Sequence, residues 1–103
     1  MVLTPKQIKT ANEAVDRIEQ EFINTCHEYG IEPKLPNWWK RPAITAVLGA
    51  NGRRPLMAQE ILEAFELACS RTALGIVQDD STYAYSCGIM RNKALSDIEV
   101  DDD

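Results

Sequence analysis

Apolar side chains return along the first thirty residues at intervals of three and four: Ile8, Ala11, Val15, Ile18, Phe22 and Tyr29, with Ile23 and Cys26 widening the stripe. That is the period of one helix face. Lys9, Glu13, Asp16, Glu19 and Glu28 fall on the other side. The start is marked by Thr4-Pro5-Lys6-Gln7, in which Thr caps, Pro takes the first helical position and Gln stands where a capping box needs it. Gly30 supplies the left-handed residue that stops the helix. A helix of about 25 residues is close to 40 Å long, more than the width of a compact domain of this size. The expectation is a first helix that bends, or whose end packs on a second copy to give a homo-oligomer.

The pattern breaks after Gly30. Pro33, Pro36 and Pro42 precede a short apolar stretch over residues 43–48, which Gly49 and the turn signal Asn51-Gly52 close. This predicts a loop, a helix of two turns and a second loop. Helical periodicity resumes near Pro55 and runs to about Thr72, with Ala58, Ile61, Leu62, Phe65, Ala68 and Cys69 inward and Gln59, Glu60, Glu63 and Glu66 outward. Arg71 in the last turn suits the helix macrodipole. Gly75 reads as the stop, Ile76-Val77 as a brief extended piece and Gln78-Asp79-Asp80 as a turn. Asp80 or Ser81 then caps a fourth helix reaching about Leu95, with Tyr85, Ile89 and Met90 inward. Gly88 inside it costs about 1 kcal/mol relative to Ala, and such a glycine permits close approach of another backbone. Residues 96–103 hold four Asp and Glu99, which predicts a mobile acidic tail. The fold class is therefore all-α: a compact bundle of about four helices over residues 1–95, followed by that tail.

Composition narrows the class. With 103 residues, 45% hydrophobic and 26% charged, the chain fits one soluble domain that folds without metal or disulfide staples. No apolar run approaches the ~20 residues that span a bilayer, and no secretory signal opens the sequence. We expect a cytoplasmic protein with no membrane partner. Cys26, Cys69 and Cys87 are odd in number and widely spaced, which points to reduced thiols. The sole histidine, His27, directly follows Cys26, so the two point to different helix faces, and no Cys-x2-Cys pair is present. No nucleophile motif surrounds a Ser or Cys, and no glycine-rich phosphate loop occurs. The expectation is a non-enzyme without cofactor or metal.

Charge changes the picture most. The chain carries −5 overall, but residues 31–56 hold Lys34, Lys40, Arg41, Arg53 and Arg54 against Glu32 alone, a local +4. Trp38-Trp39 stands immediately before Lys40-Arg41. Nucleic-acid binding needs cations for phosphates, and aromatic faces stack unpaired bases at about 1–3 kcal/mol each. The competing structural reading has the tryptophans closing the core over the first helix, with the bases as solvated helix ends.

A second cluster is Tyr85-Ser86-Cys87-Gly88-Ile89-Met90-Arg91-Asn92-Lys93, preceded by the helical segment over residues 60–68. Its Tyr-x3-Ile-x3-Lys spacing resembles the C-terminal part of the DnaD-like domain of bacterial and phage replication-initiation and helicase-loading proteins. That family closes on Tyr-x3-Ile-x3-Trp, often around Gly-Ile-Leu-Arg/Lys-Asn; Tyr85 and Ile89 match, and Lys93 stands where the family has Trp. Leu3-Thr4-Pro5-Lys6-Gln7-Ile8 is similar to the start of such domains, with the tryptophan and arginine segment as an insertion. The resemblance implies a non-catalytic helical domain that binds single-stranded DNA or a helicase, with Tyr85, Ile89, Arg91 and Lys93 as the carried-over positions.

Together these readings lead to a DNA-transaction accessory protein of phage, mobile-element or bacterial type. Its partner is single-stranded or duplex DNA, and its contact residues are Trp38, Trp39, Lys40, Arg41, Arg53, Arg54, Tyr85, Arg91 and Lys93. The alternative is a small acidic inhibitor or adaptor, such as a phage anti-defence protein, that docks its acidic helices and tail on a basic protein target. In either case the tail could imitate phosphates or shield the basic segment.

Overall fold

At the head of the first helix the capping box forms: the Gln7 N–H donates to Thr4 Oγ1 at 3.2 Å and the Thr4 N–H to Gln7 Oε1 at 2.9 Å. The computed structural model describes residues 4–50 and 52–100. In it, α1 (Pro5–Glu28), α2 (Lys40–Leu48), α3 (Ala58–Ala73) and α4 (Thr82–Val100) follow one another without a strand among the described residues, and a 3-10 turn over Asp79–Ser81 leads into α4. Gly30, at φ 71°, ends α1 as its sequence position requires.

Two aromatic and thiol contacts fix how α1 and α3 lie. Phe22 meets Phe65 edge-on at 5.3 Å between ring centroids, and one turn later Cys26 Sγ lies 3.7 Å from Cys69 Sγ. The two helices therefore run parallel and in register. All three cysteines are free thiols. The contact with Cys26, together with burial, pushes the Cys69 thiol well up, so this pair behaves as packed apolar volume.

α4 returns antiparallel to α3. Thr72 and Thr82, both buried, place their hydroxyls 2.7 Å apart at one end of the seam, and Lys93 reaches Glu63 at 3.2 Å at the other. Tyr83 completes the core, edge-on to Phe22 at 5.2 Å and tilted over Phe65 at 6.2 Å. Ser86, fully buried beside it, donates to the Tyr83 carbonyl at 2.6 Å and so carries no unmet polar group into the core.

Several expectations need correction. α2 starts at Lys40, three residues before the predicted stretch, because Pro42 falls in the first turn where its missing N–H is not needed. α3 starts at Ala58 and not near Pro55: the Leu56 N–H is taken by the Ala46 carbonyl at 2.8 Å, which draws residues 53–56 back onto α2. Ile76-Val77 makes no extended piece, since the N–H groups of both turn back to the Arg71 carbonyl at 2.9 and 3.3 Å. In α4 the fully buried side chains among the described residues are Thr82, Tyr83 and Ser86, with Met90 and Ala94 close behind; Tyr85 and Ile89 are only half-buried. α4 also continues to Val100, five residues past its expected end, while Asp101 to Asp103 of the acidic tail lie outside the described residues.

At 24 residues, or about 36 Å, α1 fits within the 38 Å long dimension of a molecule 38 × 37 × 21 Å. Its length alone therefore calls for neither a bend nor a partner. Residues 5–10 are all exposed, and the first buried side chain is Ala11. Among the described residues no helix is long and apolar enough to cross a membrane.

Candidate functional site

The two tryptophans divide between core and surface. They stand in the turn that opens α2, where the Trp39 N–H donates to the Pro36 carbonyl at 3.1 Å. Trp39 packs half-buried against the core, and Lys40 Nζ lies 5.8 Å from the centre of its ring. Trp38 keeps 48% of its surface open to solvent while its inner face covers Tyr83 at 6.0 Å between centroids. The buried Tyr83 hydroxyl donates to the Trp39 carbonyl at 2.7 Å, which pins the turn to α4. One ring thus packs on the core and the other stays half-exposed.

The cations gather beside them. Lys40 and Arg41 are exposed on the first turn of α2. Further along, a cleft of about 40 Å³ opens between α2, residues 53–56 and α4, with Arg53, Arg54 and Arg91 around it and Ala46, Leu56, Met90 and Ala94 below. Pro42, Thr45 and Cys87 complete the lining, which among the described residues contains no carboxylate. Burial pushes the Cys87 thiol up to about 11, so it lines the cleft as a neutral group.

The turn that presents Arg53 and Arg54 depends on Gly49. At φ 79° it occupies left-handed backbone, and a Cβ there would meet the Arg53 carbonyl and the Pro55 ring at 3.0 Å. Arg54 is anchored: Nη1 and Nη2 reach Glu60 Oε1 and Oε2 at 2.9 and 2.5 Å, and Nη1 also donates to the Pro55 carbonyl at 3.1 Å. Glu60 accepts the Met57 N–H at 2.9 Å as well. The Arg54 fork and this backbone N–H hold the Glu60 carboxyl down to about 2. Arg54 thus contributes position, and its charge is largely matched. Arg41, Arg53 and Arg91 pair with no carboxylate among the described residues.

Tyr85 and Lys93 lie elsewhere. Arg71 Nη1 donates to Tyr85 Oη at 2.7 Å with its guanidinium 5.7 Å from the ring centre, and Lys93 holds Glu63. Residues 85, 89 and 93 of α4 thus face residues 63, 67 and 71 of α3 in an antiparallel ladder, on the other side of the buried stripe from the cleft. Of the nine candidate residues the structure sets Arg53, Arg54 and Arg91 around the cleft, Trp38, Trp39, Lys40 and Arg41 at the start of α2, and Tyr85 and Lys93 in the seam between helices.

Three contributors escaped the sequence reading: Tyr83, which ties the tryptophan turn to the core; Glu60, which orients Arg54; and Gly49, which shapes the arginine turn. The spacing of Arg54 and Glu60, six apart across a helix start, was the one available hint. Among the described residues no group of three or more His, Cys, Asp or Glu is placed to hold a metal. Compared with family models, curated proteins and solved structures, the chain matches none.

Proposed function

We propose that this chain is a non-enzymatic accessory protein that binds nucleic acid, DNA in the first instance, through the face carrying Trp38, Lys40, Arg41, Arg53 and Arg91. The observation that carries the reading is a half-exposed indole followed in the chain by cations that pair with no carboxylate among the described residues, in a chain that is acidic elsewhere. The cations attract phosphates, and Trp38 offers a free ring face for an unpaired base. The acidic remainder confines the contact to this face. The resemblance of the Tyr85-x3-Ile89-x3-Lys93 segment to DnaD-like domains supports a role in replication, although here Tyr85 and Lys93 serve the α3–α4 seam.

Intrinsic fluorescence tests the reading. Addition of an oligonucleotide should quench the tryptophan signal, and Trp38→Ala should remove most of the quenching. An unchanged signal with wild-type protein at saturating oligonucleotide contradicts it.

A second reading, the protein-binding adaptor, has its own observation. Leu74 and Ile76, just past the end of α3, are 75% and 66% exposed, and the parallel register of α1 and α3 brings Tyr29 to the same end. If that end docks a protein, Leu74→Ser with Ile76→Ser should abolish capture of the partner without changing oligonucleotide binding.

A further inference from the structure

The cleft beside Trp38 has features that the rest of the basic face lacks. It is small, about 40 Å³, and its lining is mostly apolar, with the side chains of Arg53, Arg54 and Arg91 among it. An apolar lining lowers the local dielectric and strengthens any ion contact made against it. A space of this size suits a compact anion better than a base or a sugar ring. Guanidinium forks match the oxygens of phosphate in two-point contacts that an ammonium group does not make.

Charge sets the kind of phosphate. Glu60 already matches Arg54, so the cleft presents the charges of Arg53 and Arg91, which pair with no carboxylate among the described residues. A phosphodiester within a strand carries a single negative charge, whereas a phosphate monoester carries about −1.5 to −2 at pH 7. Two such cations around one small cleft are matched by the monoester.

Position links the cleft to a nucleic acid. Trp38 contacts Tyr83, and one helical turn further along the same two segments Pro42 and Cys87 line the cleft. Arg91 stands eight residues beyond Tyr83 on α4, so a base on Trp38 and a phosphate held by Arg91 would lie about two helix turns apart, near 11 Å along the axis.

From these observations we infer that the Arg53/Arg54/Arg91 cleft receives the terminal phosphate of a nucleic-acid strand, a nearby base of which stacks on Trp38. The inference rests on the nucleic-acid reading above and adds recognition of a strand end to it. Arg53 and Arg91 bind the phosphate, and Arg54, locked by Glu60, fixes the edge of the cleft.

The test uses internally labelled oligonucleotides of one sequence with three kinds of end: a 5′ phosphate, a 3′ phosphate, or hydroxyls at both ends. One phosphate-ended strand should bind about tenfold to a hundredfold tighter than the hydroxyl-ended strand, the scale of one or two charge-assisted hydrogen bonds. Arg53→Ala and Arg91→Ala should each bring that ratio close to one, and Arg91→Lys, which keeps the charge and removes the fork, should leave it intermediate. Circular dichroism checks that each variant folds. Equal binding of all three strands overturns the inference while the nucleic-acid reading stands, as does a ratio that survives both alanine variants. If no strand binds, both fail. Selective binding of a phosphoserine peptide in place of any strand overturns the assignment to a strand end.

Discussion

The buried hydroxyl of Tyr83 donates to the backbone carbonyl of Trp39 at 2.7 Å, joining the centre of the aromatic core to the turn that exposes Trp38. Through this bond the packing of α4 on α1 and α3 determines where the candidate interface sits. Tyr83→Phe keeps the ring contacts with Phe22 and Phe65 and removes only the donor, leaving a part-buried carbonyl unmet. The expected cost is about 1 kcal/mol, or roughly 4–8 °C in melting temperature. Oligonucleotide affinity should fall with it, because the turn loses its tether. Thermal melting and a binding titration on the same variant check both effects.

Glu60 predicts an acid-dependent loss of stability. Its carboxyl is held near 2 against an ordinary value of 4.5, by the Arg54 fork first and the Met57 N–H second. A group depressed in the folded state adds stability that is complete above its unfolded value and disappears as pH falls through its folded value. Wild type should therefore melt higher than Glu60→Gln at pH 7, and the gap should close between about pH 4.5 and pH 2. Melting curves of the two proteins across that range decide the matter.

Glu21 predicts the opposite sign. Partial burial, and then the facing carboxylate of Glu66 on α3, raise its carboxyl above the ordinary value. A raised carboxyl weakens the fold as pH climbs through and beyond the unfolded value, because the folded state resists losing that proton. Glu21→Gln should raise the melting temperature by a few degrees at pH 7. The advantage should shrink as pH falls below the ordinary carboxyl value, where both folded and unfolded chains take up the proton.

Gly88 offers a gain in stability without a functional penalty. A Cβ built at this position meets nothing within 4 Å, and its backbone is helical with no positive φ. Gly88→Ala should stabilise α4 by about 0.5–1 kcal/mol, measured by urea denaturation. Oligonucleotide binding should be unchanged, since residue 88 lies on the side of α4 away from the cleft.

Some of this architecture could be read in the residues before any coordinates, and some could not. The limits of α1 were legible because Thr4, Pro5, Gln7 and Gly30 act locally. So was most of the inward face of α3, because Ile61, Phe65, Ala68 and Cys69 keep helical spacing, although Ala58, also expected inward, is exposed and Leu62 only half-buried. α4 was misphased because its buried stripe includes Thr82 and Ser86, two polar residues whose hydroxyls are satisfied inside the core. Without them the apolar Tyr85 and Ile89 set the apparent face, and Tyr83 was overlooked. The start of α3 was hidden for another reason: Leu56 bonds to Ala46, a contact between elements that no local pattern announces. At the candidate interface the charge block over residues 31–56 announced Lys40, Arg41, Arg53 and Arg54 but not Arg91, which α4 brings to the cleft beside Arg53 and Arg54. The division between Trp38 outside and Trp39 inside depended on Tyr83, and so it had to come from the fold.

The most direct measurement is the salt dependence of oligonucleotide binding, in wild type and in a Lys40→Glu, Arg41→Glu double variant. If Lys40, Arg41, Arg53 and Arg91 each neutralise one phosphate of a single strand, the plot of log affinity against log salt should have a slope of about −3. The double variant should lose binding at physiological salt. Affinity that does not change with salt, or that survives the double variant, contradicts the account.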